Sequence, residues 1–267
     1  MLLEVREAAR SAWVEGAGRL GLVAKGVSYI IVALLAIEVA VGAGGKPADR
    51  QGALDTVADE PNGWVPIILL AAGFAGYALW RFAQSFADRD REGDDPVGLA
   101  KRASDLAKGL LYAGFAVLAV MIVAGSDSGG SEEDTATSWI LDFPLGRWIV
   151  GAIGLGVLGA GAFNAYRAVT LKFLDKLQLR KMTMREERWF SALGAFGYLA
   201  RAVVFALAGA FLIRAAYQYD PHEAIGLDGA LAKLTQERAG PILLGVVAFG
   251  LLAYGLVCFV EARYRDV

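Results

Sequence analysis

The stretch Ala24-Lys25-Gly26-Val27-Ser28-Tyr29, which continues in apolar residues to Ile37, decides the fold because it occurs three times. The second copy is Ala107-Lys108-Gly109-Leu110-Leu111-Tyr112, and the third is Ala200-Arg201-Ala202-Val203-Val204-Phe205. Each copy has a small residue, a cation, a small residue, two variable positions and an aromatic residue. A second apolar stretch follows each copy. The sequence therefore predicts an integral membrane protein built from three repeated helix pairs.

The hydropathy pattern supports this interpretation. The chain has 267 residues, of which 56% are hydrophobic and 20% charged, and its mean hydropathy is +0.46. A helix needs about 20 mostly apolar residues to cross the hydrocarbon core of a bilayer. Six runs meet this requirement, and they lie near residues 22–42, 65–86, 105–125, 147–167, 195–216 and 241–260. The predicted fold class is all-α, a polytopic membrane protein with six transmembrane helices arranged as three parallel helix-pair repeats.

The number of crossings in each repeat predicts its symmetry. A repeat with two crossings returns to the side of the membrane where it began, so successive copies have the same orientation. Copies of this kind are related by an axis along the membrane normal. We therefore expect a pseudo-threefold arrangement within one transmembrane domain, residues 1–267. The predicted repeats cover about 18–92, 101–180 and 194–267.

The distribution of basic residues predicts the orientation. Of the 26 Lys and Arg residues, twenty fall on the side that holds the N-terminus, the two inner connections and the C-terminal tail. Basic residues in short loops accumulate on the cytoplasmic side of a membrane. Both termini are therefore predicted to be cytoplasmic. On the longer inner connection, Thr183 and Glu186 have the spacing of a capping box, which predicts that a helix begins there.

The repeated cations Lys25, Lys108 and Arg201 form the first candidate site. They lie about one turn inside the cytoplasmic ends of their helices, where a charge costs less than at the bilayer centre. One interpretation is that each side chain extends to the lipid phosphates. The other is an inward-facing ring that binds an anion or an anionic lipid headgroup. Aromatic residues lie four positions further on the same helix face, and these are Tyr29, Tyr112 and Phe205.

Two further polar features fall inside the apolar runs. Glu38 and Arg214 occupy the same depth of the first and fifth helices, so they can form an intramembrane ion pair if those helices adjoin. The alternatives are that each reaches water separately or that they belong to a proton or ion relay. Asn164 lies deep in the fourth run, where an interhelical hydrogen bond is its usual role.

The fourth run is also rich in small residues. Ala152, Gly156, Ala160 and Asn164 fall on one line at four-residue spacing. Small residues let helix backbones approach closely in lipid, so this line predicts a packing face. A generally high content of alanine and glycine is the alternative explanation.

Three stretches carry a resemblance to a known family. They are Leu199 to Phe205, Asp220 to Leu231, and the closing Ala262-Arg263-Tyr264-Arg265. Together with the tripled helix pair, they resemble a bacterial membrane family catalogued as domain of unknown function 1206, over almost the whole chain. The resemblance implies this topology and a multi-pass location in the bacterial inner (cytoplasmic) membrane. It implies no activity, because the family has none assigned.

The chain offers little for catalysis. It has one cysteine, Cys258, so no disulfide can form within the chain, and its single histidine, His222, makes a metal site a weak hypothesis. The glycine-rich stretches lack the residues of a phosphate-binding loop, and no nucleic-acid-binding motif is present. We expect no cofactor and no enzymatic activity.

Two classes of function stay open. The first is a non-enzymatic accessory or scaffold component of the membrane. The alternative is a transporter or channel, or an anionic-lipid-binding protein, that uses the pseudo-threefold axis or the clefts between repeats. The expected partners are the lipid bilayer, anionic lipid and an unidentified membrane protein, and nucleic acid is not expected.

Overall fold

The structure is a computed structural model, and it describes residues 2–42, 54, 56–58, 60–87, 95–124, 145–177, 182–218 and 240–264; for residues 2–12 it describes the backbone alone. All elements in these ranges are helices. They are α1 (Leu2–Ala40), α2 (Trp64–Ala87), α3 (Pro96–Val123), α4 (Gly146–Thr170), α5 (Met184–Gln218), α6 (Gly240–Tyr264) and a short 3₁₀ helix (Leu174–Lys176). The prediction of an all-α chain is confirmed.

Six of the helices are long and apolar enough to cross a membrane. The candidate spans are Trp13–Ala40, Trp64–Phe86, Pro96–Val123, Gly146–Thr170, Met184–Gln218 and Gly240–Tyr264. The predicted number of spans is therefore confirmed. α1 and α5 are longer than predicted, with 39 and 35 residues. Since about 20 residues cross the hydrocarbon core, both helices continue beyond it.

Local sequence signals explain where two helices begin. The carboxylate of Asp95 accepts a hydrogen bond from the backbone N–H of Gly98 at 3.1 Å, and Pro96 occupies the first helical position of α3. At α5, Glu186 Oε2 accepts from the backbone N–H of Thr183 at 2.8 Å, and Thr183 Oγ1 accepts from that of Glu186 at 3.3 Å. This reciprocal pair is the predicted capping box.

The chain divides into two compact units. The first contains Met1–Ser28, Leu54–Ser126 and Cys258–Val267, and the second contains Tyr29–Ala53 and Asp127–Val257. Unit 1 thus holds the first part of α1 together with α2, α3 and the end of α6. Unit 2 holds the rest of α1 and α6 together with α4 and α5. The single domain, the repeat limits and the pseudo-threefold arrangement stay predictions.

In unit 1, α1 and α2 approach each other through glycines. A Cβ atom on Gly21 would overlap the backbone and Cβ of Tyr77, and a Cβ on Gly73 would overlap that of Ala24. A Cβ on Gly76 would lie 2.9 Å from the carbonyl oxygen of Ala17. These three contacts require that the two backbones touch, which only residues without a side chain permit.

In unit 2, α5 and α6 repeat the same contact. A Cβ on Gly197 would lie 2.7 Å from the backbone nitrogen of Tyr254, and a Cβ on Gly250 would overlap that of Ala200. Ala24 and Ala200 are the small residues that precede the cation in the first and third copies of the repeated stretch. In both repeats, the repeated stretch therefore begins at a close contact between the two helices.

The two helices of the middle repeat lie in different units. In unit 1, α3 packs on α2, with the Tyr112 ring 4.4 Å from that of Tyr77 between centroids. In unit 2, α4 packs on α5 through Gly154 and Gly161. α4 does use small residues for close packing, but Gly156, on the predicted line, is exposed, and a Cβ there would meet no described atom within 4 Å. Residues 154 and 161 share one face because two helical turns separate them.

Candidate functional site

Arg81 of α2 is the centre of a polar cluster in unit 1. Its Nη2 donates a hydrogen bond to Tyr77 Oη at 2.6 Å, and its Nη1 donates to Gln84 Oε1 and to Asp105 Oδ1, both at 2.8 Å. The side chain is 9% exposed. Its Nε is buried and has no hydrogen-bond partner among the described residues. The contact with Asp105 joins α2 to α3.

Asp105 is shared between two cations. Lys108, one turn further along α3, donates from Nζ to the same Oδ1 at 3.1 Å. A single carboxylate thus faces a guanidinium and an ammonium, so this triad carries one surplus positive charge. Arg81 is buried, whereas the Lys108 side chain is 45% exposed. The surplus charge is therefore accessible at Lys108.

Aromatic rings lie beside two cations of unit 1, Arg81 and Lys25. The guanidinium carbon of Arg81 lies 4.5 Å from the centroid of the Trp80 ring and 4.9 Å from that of Tyr77. Lys25 is buried, and its Nζ lies 5.7 Å from the same Tyr77 ring. The negative faces of these rings attract a cation, and the attraction strengthens when water is excluded. Tyr77 therefore helps to stabilise two cations inside the unit.

Arg201 of α5 makes a related arrangement in unit 2. Its Nη1 donates to Tyr254 Oη at 2.6 Å, and its guanidinium carbon lies 4.4 Å from the Tyr254 ring centroid. The rings of Phe205 and Tyr29 lie at 4.8 and 5.5 Å from the same carbon. Tyr29 and Tyr254 also pack edge to face at 4.9 Å. Arg201 is thus enclosed by aromatic side chains from three helices.

The first and third repeats share this pattern. Tyr77 follows Gly73 by four residues in α2, and Tyr254 follows Gly250 by four residues in α6. In each repeat, the cation of the first helix contacts the tyrosine of the second helix. The repeated cation therefore has a packing role inside its own repeat.

The structure places the predicted charged residues in both units. Lys25 and Lys108 lie in unit 1 and Arg201 lies in unit 2, so the ring of three cations stays a prediction. Glu38 and Arg214 are both exposed, and Arg214 Nε donates to Gln218 Oε1 at 3.4 Å. Their ion pair also stays a prediction.

Asn164 is buried, as its position in the run suggests, and its Nδ2 donates to the carbonyl oxygen of Ala160 at 2.7 Å. This bond lies within α4: the Asn164 side-chain amide donates to a carbonyl one turn earlier in the same helix, which satisfies part of its hydrogen-bonding capacity. The interhelical contact of Asn164 stays a prediction. Cys258 is a buried free thiol. His222 lies outside the described residues.

Sequence reasoning missed Arg81, Asp105 and the two tyrosines as site residues. A signal was present, because Arg81 falls inside the predicted run 65–86 and Asp105 opens the predicted run 105–125. Ionisable residues within a span are rare and usually pair with one another or face the bundle interior. The pairing itself depends on how α2 and α3 are rotated, which the sequence does not display.

The segment after α4 closes the aromatic packing of unit 2. Leu171 ends the helix in the left-handed conformation, with φ of 55°, and this turn directs the chain back toward α5. Phe173 is buried and stacks on Tyr198 with centroids 5.0 Å apart. A Cβ on Gly194 would overlap the Phe173 ring. The glycine therefore makes room for the phenylalanine.

Cations flank this packing on the outside. The guanidinium carbon of Arg167 lies 4.6 Å from the Tyr198 ring centroid. Hydrogen bonding and charge interaction with Tyr166 raise the pKa of the exposed Lys172 ammonium above its ordinary value. Both contacts are typical of the interfacial region, where aromatic and basic side chains meet the headgroups.

The described residues contain no group of three or more His, Cys, Asp or Glu side chains placed to hold a metal ion. The candidate site in each unit is instead cationic: tyrosines hold the cations, together with one carboxylate in unit 1. Its residues come from long apolar helices, so the fold and the site define a multi-pass helical membrane protein.

The profile of the family described as Domain of Unknown Function (DUF1206) matches the chain three times, at residues 20–88, 105–171 and 196–265. The chain belongs to this family, so the predicted resemblance and the three repeats are confirmed. It is also 31% identical over 255 residues to the uncharacterized protein YxxB of Bacillus subtilis (strain 168). That match covers 96% of this chain and 92% of the relative. No solved structure matches the chain. The matches and the six spans indicate a bacterial multi-pass membrane protein.

Proposed function

We propose that this protein is a non-enzymatic accessory or scaffold component of the bacterial cytoplasmic membrane, with both termini in the cytoplasm. The observation that supports this proposal is the use of its intramembrane cations. Arg81 joins α2 to α3 through Asp105, and Arg201 joins α5 to α6 through Tyr254. Both contacts link helices within a unit.

Some cations of ion pathways face a water-filled cavity, where the transported ion can reach them. Arg81 differs from this pattern, because its side chain is buried and three of its contacts are hydrogen bonds to Tyr77, Gln84 and Asp105. A guanidinium held at both Nη atoms stiffens the helix pair. A rigid helical unit suits a protein that positions a partner in the membrane.

Native mass spectrometry tests this proposal. The tagged protein is extracted from its own membrane in mild detergent and weighed without denaturation. A second protein that co-purifies at fixed stoichiometry supports a scaffold or accessory role. Its identity is then checked by tagging that protein and recovering this chain.

A transport assay provides the opposing outcome. The purified chain is reconstituted in liposomes, and the efflux of small anions is compared with that from empty liposomes. Saturable flux through the bare chain, together with the absence of any bound protein, would replace the scaffold proposal by the transporter alternative. Retention of a protein partner without flux would favour the scaffold.

A further inference from the structure

We propose that the outward face of α3 binds an anionic phospholipid, with its phosphate at Lys108 and an acyl chain along the row of residues that follows. The inference begins with the charge balance of the triad. Asp105 Oδ1 accepts hydrogen bonds from Arg81 at 2.8 Å and from Lys108 at 3.1 Å. One carboxylate neutralises only one of these two cations, so an anion is attracted to the exposed one.

The depth of Lys108 suits a lipid phosphate. Fifteen residues separate Lys108 from Val123, the last residue of α3, which corresponds to about 22 Å of helix. The hydrocarbon core is about 30 Å thick, so with Val123 at one boundary the Lys108 backbone lies somewhat inside the other. Its side chain extends toward Asp105, one turn nearer the N-terminus of the helix. That direction leads to the nearer membrane surface and brings the ammonium to the headgroups.

The surface below Lys108 suits an acyl chain. The residues at successive three-residue steps form one row on a helix surface. In this row, Leu111, Gly114, Val117 and Val120 are all exposed. A Cβ on Gly114 would meet no described atom within 4 Å, so the glycine leaves a notch in the row. A cation followed by an apolar row with a notch is complementary to a phosphate attached to a hydrocarbon chain.

This combination distinguishes a phospholipid from a free anion. Inorganic phosphate would use the charge of Lys108 and gain nothing from the exposed apolar row. A zwitterionic lipid would use the row but carries no net charge to match the surplus on the triad. An anionic phospholipid uses both features, and basic residues near the surface each attract such lipids measurably.

The test is a lipid titration of the purified full chain, followed by native mass spectrometry. Phosphatidylglycerol is the probe and phosphatidylcholine the comparison. We expect the wild-type chain to bind phosphatidylglycerol more tightly, and Lys108→Gln to weaken that binding about fivefold. Lys108→Arg keeps the charge and should restore most of the affinity. Arg147→Gln is the matched control, because Arg147 is an exposed cation of α4 whose guanidinium carbon lies 5.0 Å from the ring centroid of its neighbour Trp148. It should leave the affinity unchanged.

A second variant tests the apolar row and leaves the residues of the triad unchanged. Gly114→Leu fills the notch at an exposed helical position, so the helix should tolerate it. We expect this variant to bind phosphatidylglycerol more weakly than the wild type does. Free glycerol phosphate should compete negligibly with phosphatidylglycerol for the protein. Equal affinity for the two lipids, or equal losses in Lys108→Gln and Arg147→Gln, would overturn the proposal. Dimers in the wild type that disappear in Gly114→Leu would assign this face to a second copy of the chain instead.

Discussion

Arg81 Nη1 lies 2.8 Å from Asp105 Oδ1, and this ion pair connects α2 to α3 with both side chains largely buried. In such surroundings the Coulomb attraction is strong, but the desolvation of each charge is expensive. The pair is therefore favourable as a pair, and the buried Arg81 guanidinium is unfavourable without the Asp105 carboxylate.

Removal of one partner should destabilise the protein strongly. We expect Asp105→Asn to lower the free energy of unfolding by about 3–5 kcal/mol, because it leaves Arg81 as an uncompensated buried charge. Arg81→Met should cost less, because Lys108 still neutralises the Asp105 carboxylate. The double variant Arg81→Met with Asp105→Leu should recover most of the loss. Thermal unfolding in detergent, followed by circular dichroism, measures this effect. Lys172→Gln at an exposed site is the control, and additive losses in the double variant would argue against the pair.

The glycine contacts predict a matched loss in two repeats. Gly21→Ala should separate α1 from α2 at Tyr77, and Gly197→Ala should separate α5 from α6 at Tyr254. Each variant should lower the melting temperature, since overpacking costs about 1–3 kcal/mol. Gly16→Ala is the control, because a Cβ there meets no described atom within 4 Å. A comparable fall in melting temperature in all three variants would show that the close glycine contacts between the helices are not its cause.

The Arg201–Tyr254 contact predicts a smaller effect. Tyr254→Phe keeps the ring beside the guanidinium and removes only the hydroxyl acceptor. A hydrogen bond to a charged group contributes about 1.5–3 kcal/mol, so a loss of that size is expected in thermal or chemical unfolding. Tyr217→Phe, at a highly exposed position, should change nothing. An unchanged Tyr254→Phe variant would mean that the Tyr254 hydroxyl contributes nothing to the stability of this contact.

Leu171 offers a stabilising substitution. Its φ of 55° is unfavourable for a residue with a side chain, by about 1–2 kcal/mol, whereas glycine adopts this conformation readily. We expect Leu171→Gly to raise the melting temperature. Val169→Gly, two residues earlier within α4, should lower it, because glycine weakens a helix interior. A fall in both variants would indicate that the Leu171 side chain contributes more than its backbone strain removes.

The orientation of the termini can be tested by fusion proteins. With both termini in the cytoplasm, a C-terminal green fluorescent protein should be fluorescent and a C-terminal alkaline phosphatase should be inactive in the bacterial host. A phosphatase fused after residue 50, in the predicted outer loop, is the control and should be active. The reverse pattern would show that the excess of basic residues does not set the orientation of this chain.

The fold class was predictable because membrane spans follow from local composition. A helix that crosses the bilayer satisfies its backbone hydrogen bonds internally, so length and hydropathy are enough to identify it. The predicted runs 65–86 and 147–167 correspond closely to α2 and α4. The full lengths of α1 and α5 were harder to predict from the sequence, because their additional turns lie beyond the apolar run that marks a span.

The sites were only partly predictable. Lys25, Lys108 and Arg201 were found because duplication placed them at one position of the repeat. Their partners were missed, because Tyr77 and Tyr254 resemble any other aromatic residue of an apolar run. Asn164 was predicted to bond to a neighbouring helix, and its described hydrogen bond returns to its own helix.

By itself, the sequence determined the family, the tripled helix pair and the number of candidate spans, since these depend on composition and repetition along the chain. Only the tertiary structure decided which charges meet. Arg81 and Asp105 belong to different helices, and their contact requires a particular rotation of α2 against α3. That rotation is set by packing, in which Gly109 faces Phe82 and Tyr112 faces Tyr77, and packing depends on all neighbouring side chains together.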